Sequence, residues 1–353
     1  MIVLGIETSC DETAAAVVQD GHILHSNVVA SSMNLHAAYG GVVPEIAARS
    51  HIESIMPVIQ QALDEAHMTW DDIDAIAVTY GAGLGGSLLI GVLSARTLAI
   101  TKNKPLYAIN HVEGHVYANF LTETRLESYT LPEKQPEFPV LALIVSGGHS
   151  QLALFRDHFD YTLLGQAQDD AVGEAFDKVA KIIGVPYPGG PNISKKALEG
   201  NPRAFAFPKA KLAGKYDFSF SGLKTAVLRA AQAAVGEDYT FPSFGLPERL
   251  SEAQKADIAA SFQYIAIETL VDKAMMAYQE FNPKSVVIAG GVAANQELRR
   301  QMAERLPIPI AYTDIKLCTD NGAMIATLGC FTALHGRPAA DPYTLDIAPN
   351  LSM

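Results

Sequence analysis

Residues 2–18 read IVLGIETSCDETAAAVV. An apolar run, a short polar run and a second apolar run make the pattern of a β-hairpin. The first strand is expected over 2–7, the polar turn over 8–13 and the second strand over 14–18. Further out, 75–79 (AIAVT) is another strand, followed closely by GAGLGG at 81–86 and a helix from about Ser87 to Lys102. Between them, Pro44 suits the first turn of a helix. Ile52, Ile55, Ile59 and Leu63 continue it at helical spacing, with one face buried. Pro57 is expected to kink or split that helix.

The same order recurs later. A strand is expected over 140–145, a turn over 146–150 and a second strand over 151–155. A strand over 285–289 then runs into Gly290-Gly291 and a helix over 293–304. Residue identities do not repeat, only the order of elements. Strands and helices wired this way suggest two α/β lobes, with a cleft between them as the ligand site. Residues 123–138 and 236–250 look like loops inserted into the plan.

Composition agrees with a two-domain globular chain. It has 353 residues, 49% hydrophobic and 18% charged, which excludes a disordered tail, a collagen-like fibre or a disulfide miniprotein. Cys10, Cys318 and Cys330 are too few and odd in number for a disulfide framework, and point to a reducing compartment. The N-terminus lacks the basic region of a signal peptide. Asp74 and Arg96 bracket 21 uncharged residues, long enough to cross a bilayer, but five glycines make strand, loop and helix the better reading. The cytosol is the expected location.

Net charge is −12, so the surface as a whole repels nucleic acid. Residues 178–229 oppose that trend: ten lysines and arginines face only Glu199 and Asp217, a balance of +8. Phe205, Phe207, Tyr216, Phe218 and Phe220 interleave with them. Charge for phosphates and rings for unstacked bases are what a polynucleotide face needs. A solvated helix face with some core aromatics is the competing reading.

Three motifs carry chemistry. His111-Val-Glu-Gly-His115 puts two imidazoles on one helix face, where they can chelate one ion. A zinc peptidase of the HExxH type needs its Glu directly after the first His, and here Glu113 stands one position further on. Asp320 is the leading third ligand; the competing reading is the N-cap of a helix starting near Gly322, and one carboxylate oxygen could serve each task. The glycine turns at 146–148, 189–191 and 290–291, with His149, Asn192 and Asn295 beside them, suggest a nucleotide-like ligand. No GxxxxGK[ST] sequence occurs, so a P-loop NTPase is excluded. Last, Asp11 and Glu12 lie in the first hairpin turn, placed for a base or a metal-bound phosphate, or for a plain Asx turn.

Together these pieces resemble the tRNA N6-adenosine threonylcarbamoyltransferase family, called TsaD in bacteria and formerly known as glycoproteases. The matching motifs are GIETSCDET (5–13), GGVVPEIAARSH (40–51), GAGLGGSLLIG (81–91), NHVEGH (110–115), VSGGHS (145–150), GEAFDKVAK (173–181), YPGGP (187–191), FSFSGLKTA (218–226), AGGVAAN (289–295) and CTDNGAMIA (318–326). They run in order over nearly the whole chain. The resemblance implies a duplicated two-lobe actin/Hsp70/sugar-kinase (ASKHA) fold with an interlobe cleft. Its N-terminal lobe would be 1–108, completed by 325–353. Its C-terminal lobe would be 109–324, with the metal site, the adenylate pocket and the basic segment.

It also implies the reaction: transfer of threonylcarbamoyl from threonylcarbamoyladenylate to N6 of the tRNA adenosine 3′ of the anticodon, in tRNAs reading A-starting codons, with AMP released. His111, His115 and Asp320 would hold one Fe2+ or Zn2+. Ile144, Val145, Ser146, Gly147, Gly148, Asp177, Gly190, Ser194 and Asn295 would line the adenylate pocket, and Asp11 and Glu12 would serve the reacting centre. Lys195, Lys196, Arg203, Lys209 and Lys211 are the candidate tRNA contacts. Many relatives have Met at Val112, and many have Asp, a ribose contact, at Ser194. The implied partners are the inactive paralogue TsaB and the P-loop ATPase TsaE, and dimerisation is expected through N-lobe helices such as those of 40–63. Competing readings are a kinase or ATPase of the same fold, which would hold Mg2+ on carboxylates, a metallopeptidase, and a non-catalytic paralogue.

Overall fold

The computed structural model describes residues 1–353, with every side chain except that of Ala37. It divides into two compact units: Met1–Pro136 with Ala311–Met353, and Glu137–Ile310.

In unit 1, β1 (Ile2–Glu7) and β2 (Glu12–Gln19) form the expected antiparallel hairpin, with Ile2 opposite Gln19 and Glu7 opposite Ala14. A further strand, β3 (Ile23–Ser31), extends it, followed by a short α1 (Met33–Ala37) and the long α2 (Pro44–Glu65). Then come β4 (Ala75–Gly81), α3 (Gly85–Lys102), β5 (Leu106–Asn110), α4 (His111–Tyr117) and the two-residue β6 (Glu123–Thr124). The sheet order is β5-β4-β1-β2-β3-β6, with β1 parallel to β4.

Both faces of this sheet are covered, which is why β1 reads as continuous apolar sequence rather than alternating. Leu4 and Ile6 join a core with Ile55, Ile59 and Val92 from α2 and α3. Gly5 faces the other way: a Cβ there would lie 2.4 Å from Ala326 N and Gly322 O, backbone atoms of the final helix. Only glycine lets that helix sit so close.

Unit 2 repeats the plan. β7 (Val140–Val145), β8 (Ser150–Asp157) and β9 (Asp160–Gln166) form an antiparallel meander, followed by α5 (Val172–Ile183), α6 (Gly189–Ala197), α7 (Ser221–Ala234), α8 (Leu246–Arg249) and α9 (Glu252–Phe281). β10 (Ser285–Ala289) then pairs parallel with β7, and α10 (Gln296–Arg305) follows. The order β10-β7-β8-β9 matches β4-β1-β2-β3 of unit 1, strand for strand. The repeat read from the sequence is thus one of topology. The chain returns to unit 1 for α11 (Gly322–Leu334), which packs on β1 and β2.

Three expectations change. Residues 109–136 and 311–324 belong to unit 1, not to the C-terminal lobe: α4 leaves directly from β5, and α11 packs against α4. Pro57 does not split α2, because Pro57 and Glu53 both face solvent, so water can bond the carbonyl that loses its partner. Ile52 is 61% exposed, and its expected place in the buried stripe is taken by His51, followed by Ile55, Val58, Ile59 and Ala62. No helix among the described residues is long and apolar enough to cross a membrane; 75–95 is strand, loop and helix.

Candidate functional site

In unit 1, β5 ends at Asn110, whose side-chain oxygen accepts from Val112 N at 2.8 Å and Glu113 N at 3.3 Å. That N-cap starts α4 at once, so His111 and His115 stand one turn apart on it, with ring centroids 4.7 Å apart at 79°. Asp320 reaches them from the loop before α11. Its Oδ1 lies 3.5 Å from His111 Nε2 and 3.2 Å from His115 Nε2. Asp320 is not the helix cap: Asn321 fills that role, accepting from Met324 N at 3.0 Å.

One ligand atom from each of the three residues falls within 4.8 Å of the others. Both ring nitrogens of His115 are buried and make no hydrogen bond, a condition that a bound cation at Nε2 would relieve on one side. Two imidazoles and a carboxylate are a donor set for zinc or iron. The residues therefore fit a divalent ion.

A second layer holds His111. Its Nδ1 lies 3.2 Å from Glu7 Oε2 and 3.1 Å from Ser9 Oγ. Glu7 is fully buried at the end of β1 and also accepts from Ser9 N and Thr79 Oγ1. Such a carboxylate fixes the ring's orientation and leaves Nε2 for a ligand. Burial opposes charge on His111, but Asp320 and then Glu7 outweigh it and raise the ring to about 9. Of the expected base candidates, Glu12 feels the charge of Asp320. Burial, then Asp320, then Asp11 push Glu12 up to about 9. Asp11 hydrogen-bonds Glu12, and Ser31 Oγ donates to Glu12 Oε1 at 3.1 Å. Within two turns of α4, Glu113 is almost buried, and desolvation lifts it to about 7.

In unit 2 the expected adenylate residues form one ring of contacts. Gly147 and Gly148 are exposed in the turn after β7, and side chains added there would meet open space. Gly173, in the first turn of α5, packs so closely that a Cβ would sit 2.5 Å from Ser146 O. One turn along α5, Asp177 Oδ1 accepts from Gly189 N at 2.7 Å and so holds the start of α6. Burial raises Asp177, against the pull of the Gly189 and Gly190 amides. Ser194 Oγ donates to Gly190 O at 2.9 Å and accepts from Asn295 Nδ2 at 2.9 Å. Asn295 caps α10, and just upstream of it Gly290, with φ +88°, brings the chain back to Val145 and Ser146. Ile144 and Val145 are wholly buried within β7, so the open part of this segment is the glycine pair.

The basic segment is different in three dimensions. Lys178 pairs with Asp170 and Glu174, Lys196 with Glu199 and Glu252, Lys209 with Glu268 and Asp272, and Lys215 with Glu280. Most of those acids lie outside 178–229, so the linear excess is largely cancelled. Phe207, Tyr216, Phe218 and Phe220 are buried, and they are core rather than stacking platforms. Of the candidate tRNA contacts, Lys195, Arg203 and Lys211 remain exposed with no ion pair. The sequence reading missed Glu7, Ser9, Thr79, Asn110 and Asn321 as supports of the site. An acid closing an apolar strand, as Glu7 does, was the available signal.

Residues 23–327 match the family model described as TsaD, tRNA N6-adenosine threonylcarbamoyltransferase. A tRNA N6-adenosine threonylcarbamoyltransferase of Thermomicrobium roseum is 51% identical over 345 residues, covering 95% of this chain and 93% of the relative. Among solved structures, HypF of T. kodakarensis superposes with TM-score 0.58 at 14% identity, covering 97% of this chain and 49% of that one. The activator of the 2-hydroxyisocaproyl-CoA dehydratase from Clostridium difficile gives 0.50 at 14%, covering 99% and 100%. These likenesses show the actin/Hsp70/sugar-kinase fold.

Proposed function

This chain belongs to the TsaD family of tRNA N6-adenosine threonylcarbamoyltransferases, and we propose that it performs the transfer with the groups described above. As an enzyme of that family it places a threonylcarbamoyl group on N6 of a tRNA adenosine. The proposed donor is threonylcarbamoyladenylate, and the proposed acceptor is the adenosine 3′ of the anticodon in tRNAs reading A-starting codons.

In this reading His111, His115 and Asp320 would hold one Fe2+ or Zn2+, which would supply Lewis-acid polarisation when bound. The rest of the chemistry belongs to the chain. Gly147, Gly148, Asp177, Gly190, Ser194 and Asn295 hold the adenylate, so that a poor nucleophile meets a positioned acyl donor. N6 bonds to the carbamoyl carbon, and the bond from that carbon to the phosphate oxygen breaks. The electron pair leaves with AMP, and one N6 proton passes to the Asp11–Glu12 pair. The observation that carries this is the electrostatic influence of Asp320 and Asp11 on the buried Glu12, which brings this turn's acids next to the two-histidine group. A pair of carboxyl groups there can accept a proton at whichever member is ionised.

The proposed protein partners are TsaB and the P-loop ATPase TsaE, and the proposed location is the cytoplasm. Ile52 and Met56 of α2 and Leu89 and Leu93 of α3 are exposed apolar side chains suited to a TsaB contact.

The test is single-turnover transfer with Asp11→Asn and Glu12→Gln enzymes of normal metal content. A loss of roughly 10²- to 10⁴-fold in at least one is expected for a proton acceptor. Wild-type rates in both would overturn the assignment.

A further inference from the structure

The GGVVPEIAARSH motif ends at His51, which neither the metal group nor the nucleotide pocket uses. The ring is fully buried on the inner face of α2 and makes two hydrogen bonds. Nε2 lies 2.9 Å from the carbonyl oxygen of Cys10, and Nδ1 lies 2.8 Å from Thr13 Oγ1. A carbonyl only accepts, so Nε2 carries the hydrogen. Burial lowers the ring's affinity for a second proton. Nδ1 is therefore bare and accepts from the Thr13 hydroxyl.

These two contacts bracket Asp11 and Glu12. Other bonds hold the same turn from its remaining sides. Ser87 Oγ on α3 also donates to Cys10 O at 3.1 Å, and Thr8 Oγ1 donates to Ser87 O at 3.0 Å. Ser32 donates to the Asp11 carbonyl twice, from N at 2.9 Å and from Oγ at 2.8 Å. Among these ties, His51 alone grips both ends of the Cys10–Thr13 stretch, and it does so from a rigid helix.

We propose that His51, as a neutral ring with its hydrogen on Nε2, is a positioning residue that fixes where the Asp11 and Glu12 carboxylates stand. The proposal rests on the role given to Asp11 and Glu12 above. A buried histidine serving only as packing would need one filled volume. Here both nitrogens are engaged, with the donor and acceptor on the sides the turn requires.

Two variants separate the roles. His51→Phe keeps the ring's bulk and removes both bonds. His51→Gln returns a donor to Cys10 O. Transfer kinetics, metal content and thermal midpoint are measured in each, beside Asp11→Asn and Glu12→Gln. In His51→Phe, kcat should fall by about 100-fold, the scale of a misplacement of about 1 Å. KM for tRNA should stay within about twofold, because only the reacting carboxylates are moved. Metal content should be unchanged, and His51→Gln should recover at least about tenfold of the loss. Wild-type kcat in His51→Phe, while a carboxylate variant is slow, would refute the inference alone. Wild-type kcat in both carboxylate variants would refute the reading beneath it. A loss in His51→Phe that His51→Gln does not recover would mark His51 as packing and refute the proposal. Nitrogen shifts of 15N-histidine in the wild-type protein, assigned with the His51→Gln sample, give a check that needs no phenylalanine variant to fold. They should show Nε2 protonated and Nδ1 bare at neutral pH, and the reverse pattern would also refute the proposal.

Discussion

Gly5→Ala should destabilise unit 1 by about 3 kcal/mol, the upper part of the range for overpacking a core. The size follows from the seam between β1 and α11. The added Cβ would sit 2.4 Å from both Ala326 N and Gly322 O and 2.8 Å from Ala326 Cα. Ordinary contact needs about 3.4 Å, so α11 must retreat by about 1 Å. The obstructing atoms are backbone, so no side chain can rotate away. The opposing strand face is filled by Leu4 and Ile6 in the main core, so β1 has nowhere to go. The sign is the decisive part. Gly5 has an ordinary strand φ, and glycine replaced by alanine at such a position normally stabilises by about 0.4–1 kcal/mol through the unfolded chain. Denaturant unfolding gives the answer: the midpoint should fall with the slope unchanged. Asp320 stands just before α11, so the same retreat should weaken metal binding in chelator competition. A loss below about 1 kcal/mol, or a gain, would show that the seam relaxes easily and that close approach is not why Gly5 is there.

Other expectations are shorter. Zn2+ at about 100 times its Kd should stabilise the wild type by about 2.7 kcal/mol against thermal unfolding and should do much less for His115→Ala; equal stabilisation of both would argue that the ion binds elsewhere. Hydrogen bonds from Lys196 and Lys255 hold Glu252 down at about 2. A depressed carboxyl stabilises above its ordinary range near 4.5 and loses that contribution as pH falls through about 2. The thermal midpoint of wild type should therefore exceed that of Glu252→Gln at pH 5 to 6 and converge with it near pH 2, with a gap that shrinks in high salt. Lys195→Glu with Lys211→Glu should weaken tRNA binding and flatten its salt dependence in filter-binding titrations, since both are exposed and unpaired; unchanged affinity would remove this face from the interface.

Much of the site was legible because its signals are local. The spacing of His111 and His115 survives on any helix, and the glycine turns mark where backbone must come close. What was hidden depended on partners distant in sequence. β3 escaped notice because His25, Ser26 and Asn27 interrupt its apolar run; Ser26 is buried only because its hydroxyl accepts from Val17 N. The +8 of 178–229 was true of the sequence and misleading about the surface. Its acids arrive from Asp170, Glu174 and α9, some more than 50 positions away. Asp320 and Asn321 are adjacent, and only geometry decides which caps the helix and which faces the imidazoles. His51 lay in plain view at the spacing of Ile55 and Ile59, but a polar residue in an apolar stripe is easily passed over for its neighbour Ile52.

The discontinuity of unit 1 has a bearing on how the protein is made. Unit 2 is continuous in sequence, and its last strand is translated while α11 is still unmade. For all that interval β1 and β2 have one face without a cover, and Asp320 has not yet left the ribosome to join His111 and His115. The inserted unit can mature on its own schedule, whereas the hairpin that opens the chain must wait, apolar and half-dressed, for the segment that completes it. Newborn chains stalled between 310 and 320 should thus be the species that chaperones hold, and the ones that aggregate when chaperones are scarce.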